Sequence, residues 1–552
     1  MGGTDIRHVS YVALTTLGAG GGSLRTRDFG GGPKPQHREL PYADKPVPSN
    51  DNPWSWLRTA AGKTASESKL LELVRVSMLS LWSIPGPYTD EGLARSGRGA
   101  ELCDLMVVFG DDVLLFSDKD CAFPQLTNIE LAWSRWYRRA IEKSARQLAG
   151  AAASIRRQGT RLFSDPACTS ELPLRMPPPD RIRIHLVAVA HGSVLAAERY
   201  WDAKGEKLGS AGSLFISSKL AGSDHRQQPF HVGWPIGREE FVHVLDDVTL
   251  PLLLSELDTV ADLTDYLTKK ERLLRTPACD FLVPGEEELL TMYLTTVPDG
   301  RTHHFPAIEE GAMVVLREGT WTAFRDSSEY VARIAANSVS YLWDNLIEYQ
   351  ASHVIHGSTE ELFAGRSEPS SVTNERVLRA MASENRLSRR SLGGTMRQGR
   401  ALSSNQKRWM RTIAMPDRGR LYCFVFVPYF PEQQSHPDYR DYRQYLLYLY
   451  CRGALLKFEA AKEIIGIAPD PYDSGIASVD FMMFDIHDSS ISSDERLALE
   501  KALQKENIWN AGELRAGTFY DVTYPYSPTV VERLGHMGKR LAHKVLRRGP
   551  RS

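Results

Sequence analysis

The clearest pattern of apolar and polar positions lies between residues 101 and 119. Leu105 to Phe109 and Val113 to Phe116 are almost continuous apolar runs, and Gly110-Asp111-Asp112 between them is typical of a tight turn. The segment therefore predicts a β-hairpin. Because hardly any polar residue interrupts the two strands, we expect both faces of the hairpin to be covered by other elements.

Helical patterns flank the hairpin on both sides. Upstream, Ser66 to Trp82 carries apolar residues at helical spacing, with Ser66 as the N-cap and Ile84-Pro85-Gly86-Pro87 as the breaker that follows. Downstream, Trp133 to Arg157 predicts a long basic helix, and Arg181 to Ala190 predicts a further core strand. The predicted order is helix, hairpin, helix, strand.

Polar residues stand at one open end of this hairpin. Asp104 precedes the first strand, and Asp118 and Lys119 end the second, so the turn should bring these side chains together. A divalent cation held by one or two carboxylates can neutralise the transition state of phosphodiester cleavage, and a lysine can orient or deprotonate the attacking water. The residue types at this end therefore indicate a hydrolytic site built around a divalent cation.

Residues 65 to 195 resemble the restriction-endonuclease-like superfamily, the PD-(D/E)xK phosphodiesterases. Asp104 matches the first acid and Lys119 matches the lysine, and the segments around them follow the superfamily's order. The resemblance implies a mixed sheet flanked by helices, with Mg²⁺ or Mn²⁺ as cofactor. It also implies that Asp104 is the principal metal ligand and that Lys119 positions water and phosphate. The other residues it implies are the metal ligands Asp118, Glu101 and Glu72 (or Glu67 on the same helix) and the supporting Gln147.

The position of the second acid departs from the superfamily pattern. Ser117 stands two residues before Lys119, where the pattern has Asp or Glu, and Asp118 should point to the other side of the strand. Three outcomes are open. A bulge could bring Asp118 round to the metal, Glu130 or Glu142 from the following helix could replace the acid, or the site could catalyse nothing.

Composition limits the remaining choices. The 552 residues allow two to four domains, and 42% hydrophobic with 24% charged residues are typical of a soluble globular protein. The net charge of −1 means that nucleic acid would have to bind a local basic patch. Six scattered cysteines argue against a disulfide framework and a structural zinc, and fit a cytoplasmic location. No apolar run is long enough to cross a bilayer, so we expect no membrane partner.

The chain divides by composition into five segments. The expected fold is α/β throughout, with a restriction-endonuclease-like core followed by a second α/β module. The arginine-rich segment and a basic tail at 533–551 are the expected phosphate-binding surfaces. The segments are a flexible extension at 1–60, the nuclease-like domain at 61–200, an α/β middle region at 201–366, an arginine-rich linker or patch at 367–420, and a carboxy-terminal α/β module at 421–552.

The expected function is a metal-dependent nuclease that hydrolyses phosphodiester bonds of DNA or RNA. Because nucleases of this superfamily often act in restriction, a role in bacterial anti-phage defence follows by analogy. The alternative is a catalytically inactive protein of the same fold that binds nucleic acid or serves as a scaffold subunit. A partner protein or a second copy of the chain is a further candidate ligand. The observation that separates the two is whether Asp104, Lys119 and a second carboxylate converge.

Overall fold

The computed structural model describes residues 52–525 and the strand 11–17, apart from 158–160, 175, 206–208, 358–369, 459, 475–477, 486–491, 511–513 and 520. The strands are β1 (Tyr11–Leu17), β2 (Ser83–Pro85), β3 (Tyr88–Thr89), β4 (Ala100–Glu101), β5 (Leu105–Phe109), β6 (Asp112–Asp120), β7 (Leu162–Phe163), β8 (Arg183–His191), β9 (Phe215–Ala221), β10 (His231–Trp234), β11 (Val242–Asp246), β12 (Asp280–Val283), β13 (Met313–Val315), β14 (Trp409–Met415), β15 (Arg420–Phe426), β16 (Glu463–Pro469), β17 (Val479–Asp485) and β18 (Leu514–Phe519). The helices are α1 (Ala65–Met78), α2 (Leu93–Ser96), α3 (Ile129–Tyr137), α4 (Lys143–Arg156), α5 (Val194–Ala203), α6 (Thr249–Glu256), α7 (Val260–Leu274), α8 (Glu286–Thr295), α9 (Thr320–Arg325), α10 (Ser328–Asn337), α11 (Tyr341–His356), α12 (Ser370–Ala382), α13 (Arg386–Ser404), α14 (His436–Lys457) and α15 (Ser493–Lys505).

The predicted hairpin forms the centre of a five-stranded sheet with the order β11-β8-β6-β5-β2. β5 is antiparallel to both β2 and β6, whereas β6, β8 and β11 run parallel. The hairpin turn is tight because Phe109 already pairs with Asp112. Gly110 in this turn has a φ of 61°, in the left-handed region that favours glycine.

Helices cover both faces of this sheet, as the apolar strands predict. On the face that we call the α1 face, Leu114 and Phe116 join the core with the apolar side of α1. On the opposite α4 face, Val113 and Leu115 pack with the apolar side of α4. The helix α1 begins at Ala65 with Thr64 as its N-cap, so the predicted cap at Ser66 is wrong by two residues.

The predicted second α/β module is present as a six-stranded sheet with the order β17-β16-β15-β14-β1-β18. β15 and β16 run parallel, and α14 connects them. The sheet includes β1, which pairs antiparallel with both β14 and β18. The prediction that residues 1–60 form a flexible extension is therefore wrong for Tyr11–Leu17, and Trp54 and Leu57 are also buried.

The described part of the segment 367–420 is not a linker, and three of the arginines expected to contact phosphate are buried. It contains α12, α13 and β14, and Arg386, Arg389 and Arg390 of α13 are only 5%, 1% and 6% exposed. Arg386 and Arg389 each lie 2.6 Å from a carboxylate oxygen of Asp344. These arginines belong to the core because acids from other segments neutralise them.

Two further expectations concern the chain ends and membranes. The basic tail at 533–551 lies outside the described residues. Within the described residues, no helix combines the length and the apolar character that crossing a membrane requires.

Candidate functional site

Polar side chains gather where the parallel strands β6 and β8 end. The two strands pair without interruption from Asp112 with Arg183 to Asp120 with His191, so their carboxyl ends lie side by side. In α/β sheets, ligands commonly bind outside the carboxyl ends of parallel strands. Asp104, which directly precedes the antiparallel β5, reaches the same edge because its backbone N–H donates to the carbonyl of Phe116.

Asp104 and Lys119 meet on the α4 face of this edge, as the sequence predicts. Oδ2 of Asp104 accepts hydrogen bonds from Lys119 Nζ at 3.1 Å, Ser117 Oγ at 3.2 Å and the Asp118 N–H at 2.6 Å. Ser117 and Lys119 share a face because side chains alternate along a strand. Lys119 keeps 23% of its side chain exposed, so the pair opens to solvent. Their catalytic role stays a prediction.

The second carboxylate oxygen of Asp104, Oδ1, differs from Oδ2 in its hydrogen bonds. Asp104 is only 8% exposed, yet within the described part of the chain no hydrogen bond to its Oδ1 occurs. A buried carboxylate usually satisfies both oxygens with donors. Oδ1 is therefore a carboxylate oxygen that is available to a cation or to water.

Asp118 lies on the opposite face of the sheet. Its Oδ1 is 2.5 Å from Nε2 of His191, and Ser66 Oγ of α1 is 3.2 Å from the same nitrogen. The regular register of β6 against β5 and β8 shows no bulge, so the prediction that Asp118 joins Asp104 at a metal is wrong. Because Ser66 and Asp118 share one ring nitrogen, the trio also lacks the relay geometry of a serine hydrolase.

His191 is a further polar residue of this edge, and its place just after the predicted strand at 181–190 already made it a candidate to lie near the site or in the core. It ends β8, one residue beyond the predicted strand, and its Nδ1 lies 3.9 Å from Oδ1 of Asp247. Burial alone would lower the pKa of His191, but the hydrogen bond and the charge of Asp118 raise it above its ordinary value. The signal in the sequence is a histidine directly after an apolar strand that pairs with β6.

Two of the predicted metal ligands form ion pairs with lysines other than Lys119. Glu72 is exposed on α1 and pairs with Lys69 at 2.9 Å, on a helix of the α1 face. Glu101 of β4 pairs with Lys63 at 2.6 Å. Both acids form surface ion pairs, which contribute little to stability. Among the described residues, neither acid forms a hydrogen bond or an ion pair with Asp104 or Lys119.

Among the described residues, no hydrogen bond or ion pair joins the acids or the glutamine of the following helix to Asp104 or Lys119. Glu130 is exposed in the first turn of α3. Glu142 is buried in a π-helical turn between α3 and α4, and its carboxylate binds Arg146 and Arg226, the latter at 2.8 Å. Gln147 is half-buried on α4. Glu142 is thus occupied by arginines and does not replace the missing second acid.

The helix pair α3 and α4 is fixed tightly to this edge. The indole N–H of Trp136 donates to the carbonyls of Cys121, at 3.0 Å, and His191, at 3.1 Å. Cys121 directly follows the last residue of β6, and His191 is the last residue of β8. Ser144, in the first turn of α4, lies 3.5 Å from the carbonyl of Ser117. The start of α4 therefore lies directly above the strand position of Ser117.

A cation at this edge would have few protein ligands. Among the described residues, no three His, Cys, Asp or Glu side chains form a metal-binding group. Mg²⁺ is often bound by one or two carboxylates, with water and substrate phosphate as its other ligands. The open Oδ1 of Asp104 fits that minimal arrangement, and among the described residues no second carboxylate joins it.

The chain was compared with protein-family models, with curated proteins and with solved structures, and none of the three comparisons found a match.

Proposed function

We propose that this protein is a Mg²⁺-dependent nuclease with Asp104 and Lys119 at its active site. The observation that carries the proposal is their meeting at 3.1 Å on one face of the sheet, beside the carboxyl end of a parallel strand, with Oδ1 of Asp104 open. A carboxylate and a lysine that share an accessible edge suit the cleavage of a phosphodiester.

The residues divide the chemical work as follows. Asp104 would hold Mg²⁺ through Oδ1, and the bound cation would neutralise the phosphate and polarise the attacking water. Oδ2 of Asp104 keeps the Lys119 ammonium in place. Lys119 then donates a hydrogen bond to a phosphate oxygen and orients the water for in-line attack. The Ser117 hydroxyl and the Asp118 N–H fix the carboxylate through Oδ2, which leaves Oδ1 without a hydrogen bond among the described residues.

The resemblance to the PD-(D/E)xK superfamily supports this proposal. The mixed five-stranded sheet has α1 on one face and α4 on the other, in the chain order that the superfamily uses. We include in the proposal the restriction-endonuclease-like assignment of this core, a cytoplasmic location and a role in defence against phage. The last of these rests on analogy alone.

A second candidate is a nuclease-fold protein that binds nucleic acid without cutting it. Ser117 occupies the place of the second acid, and Asp118 is engaged by His191 on the opposite face. A site with one carboxylate offers the cation less negative charge than a site with two. Asp104 and Lys119 thus converge without a second carboxylate among the described residues, which is the outcome expected for this second candidate.

One experiment separates the two candidates. Single- and double-stranded DNA and RNA are incubated with the protein in Mg²⁺, in Mn²⁺ and in EDTA, and both binding and cleavage are recorded. Cleavage that needs the metal and disappears in Asp104→Asn, but persists in the control Glu101→Gln, supports the nuclease. Binding without cleavage in either metal supports the second candidate. Loss of cleavage in Glu101→Gln as well would contradict the assignment of Asp104 as the one carboxylate of the site, and the absence of both binding and cleavage would contradict both candidates.

A further inference from the structure

The outward face of the α3–α4 segment carries cations that no acid neutralises. Arg135, Arg138, Arg139 and Lys143 are exposed, and none of them forms an ion pair or a hydrogen bond with another described residue. Their spacing of three to four residues places them along one side of the helix. The buried residues of α3 and α4 occupy the other side, against the sheet and the turn at 222–227.

The acid nearest to these cations in sequence does not cancel their positive charge. Glu142 lies between Arg139 and Lys143 in sequence, but its carboxylate is buried against Arg146 and Arg226. With two arginines on one glutamate, this ion-pair group itself carries a net positive charge. A chain with a net charge of −1 therefore carries a group of unpaired positive charges on the helix that packs against this sheet.

The position of this face follows from the hydrogen bonds of Trp136. Its indole joins the helix to the carbonyls of Cys121 and His191, at the edge that holds Asp104 and Lys119. Arg135 and Arg139 lie one residue before and three residues after Trp136 on the same helix. The hydrogen bonds of Trp136 therefore hold the helix that carries the basic face at this end of the sheet, with the cations on the side of the helix that faces away from the strands.

The aromatic residues of this helix indicate which polyanion fits. Proteins that hold single strands stack the bases on accessible aromatic rings. Trp133, Trp136 and Tyr137 are completely buried, so the basic face presents no ring for stacking. Arg135 to Lys143 spans about 12 Å of helix, over which a B-form duplex presents about seven phosphates. The face suits contact with a phosphate backbone.

We propose that this basic face, formed by Arg135, Arg138, Arg139 and Lys143, is the docking surface for the phosphate backbone of a nucleic-acid duplex. The inference deepens the proposed nuclease function and rests on it for the choice of nucleic acid as the ligand. It replaces the arginine-rich segment, whose buried Arg386, Arg389 and Arg390 cannot reach a phosphate.

The test measures binding in EDTA, so that no metal-dependent cleavage occurs. A labelled 20-base-pair DNA duplex is titrated at several salt concentrations with the wild type and with the double variant Arg135→Ala/Arg139→Ala. The matched control is Lys501→Ala/Lys505→Ala, which removes two exposed cations at the same four-residue spacing on α15. Thermal melting of all three proteins verifies that they fold alike.

We expect the α3 variant to reduce the slope of log Kd against log salt by about 1.8, since each lost phosphate contact removes about 0.9. The control should keep the wild-type slope. A single strand of the same sequence is titrated in the same way. Equal duplex binding by all three proteins would overturn the docking surface. So would tighter binding of the single strand than of the duplex, with the same loss of slope in the α3 variant. Cleavage in Mg²⁺ is scored separately. Duplex binding at this face without cleavage would refute only the nuclease, and cleavage with unchanged binding would refute only the docking surface.

Discussion

Replacing Asp344 by Asn should destabilise the protein strongly, because two buried arginines depend on its charge. Asp344 accepts hydrogen bonds from Arg386 and Arg389 at 2.6 Å each. The arginine side chains are 7% and 1% exposed. Asparagine keeps the shape of the side chain and removes only the charge. The variant therefore isolates the electrostatic part of the interaction.

The magnitude follows from the partners that remain. Removing one member of a buried ion pair costs about 3–5 kcal/mol. Arg386 retains Asp258 at 2.8 Å, and Arg389 retains the carbonyls of Ala382 and Glu384. We therefore expect a loss of about 3 kcal/mol in the free energy of unfolding, at the lower end of that range.

The loss should also depend on pH in one direction. Burial alone would raise the pKa of Asp344, but Arg386 and Arg389 hold it below the ordinary value of 3.8. A lowered pKa in the folded state contributes stability that is fully present above the unfolded pKa. The advantage of the wild type over Asp344→Asn should thus be complete at pH 7 and shrink as the pH falls below about 3.8 toward the folded-state pKa.

Urea unfolding followed by tryptophan fluorescence measures this loss, since Trp343 next to Asp344 is fully buried. The control is Arg397→Ala, an exposed arginine of the same helix α13, which should change stability by less than about 0.5 kcal/mol. A cost below about 1 kcal/mol for Asp344→Asn would refute the reasoning. So would weaker nucleic-acid binding with unchanged stability, because the arginines would then face a ligand and not the core.

Two further predictions concern packing and a buried acid. Gly399→Ala should cost about 1–3 kcal/mol of stability, because a Cβ there would lie 2.1 Å from the ring of Phe426. The control Gly394→Ala, on the same helix, meets nothing within 4 Å and should stabilise the protein by up to about 1 kcal/mol. Equal urea midpoints for the two variants would contradict this prediction. Burial raises the pKa of Glu287 from 4.5 to about 7, and the charge of Asp246 adds to it. Because the pKa of Glu287 is higher in the folded than in the unfolded state, its carboxylate costs stability as the pH rises from 4.5 to about 7. Glu287→Gln should therefore gain up to about 3 kcal/mol over the wild type between pH 5 and pH 8, and a constant difference across this range would show that the carboxyl does not titrate there.

Local patterns predicted the parts of the fold whose partners are close in sequence. The hairpin of β5 and β6 needs only two apolar runs and a turn, so its register, and with it the meeting of Asp104 and Lys119, followed from the sequence. The alternation of side chains also predicted that Ser117 shares their face and that Asp118 does not. These inferences needed no long-range contact.

Long-range contacts explain the predictions that were wrong. β1 pairs with β14 and β18, which lie hundreds of residues away, and nothing near Tyr11–Leu17 indicates those partners. The arginines of α13 look like a phosphate-binding surface until the distant acids Asp258 and Asp344 are placed beside them. Composition counts charges, but only the fold shows which of them are already neutralised.

The most direct test of the central claim is the single-turnover cleavage rate of the Lys119→Met variant at saturating nucleic acid in Mg²⁺. The matched control is Lys63→Met, an exposed lysine that pairs with Glu101 outside the Asp104 contact. If Lys119 orients the water and holds the phosphate, its loss should slow the chemical step at least about 100-fold, and the control should cleave at the wild-type rate. Wild-type cleavage by Lys119→Met would place the chemistry elsewhere, and the Asp104–Lys119 site would not be catalytic.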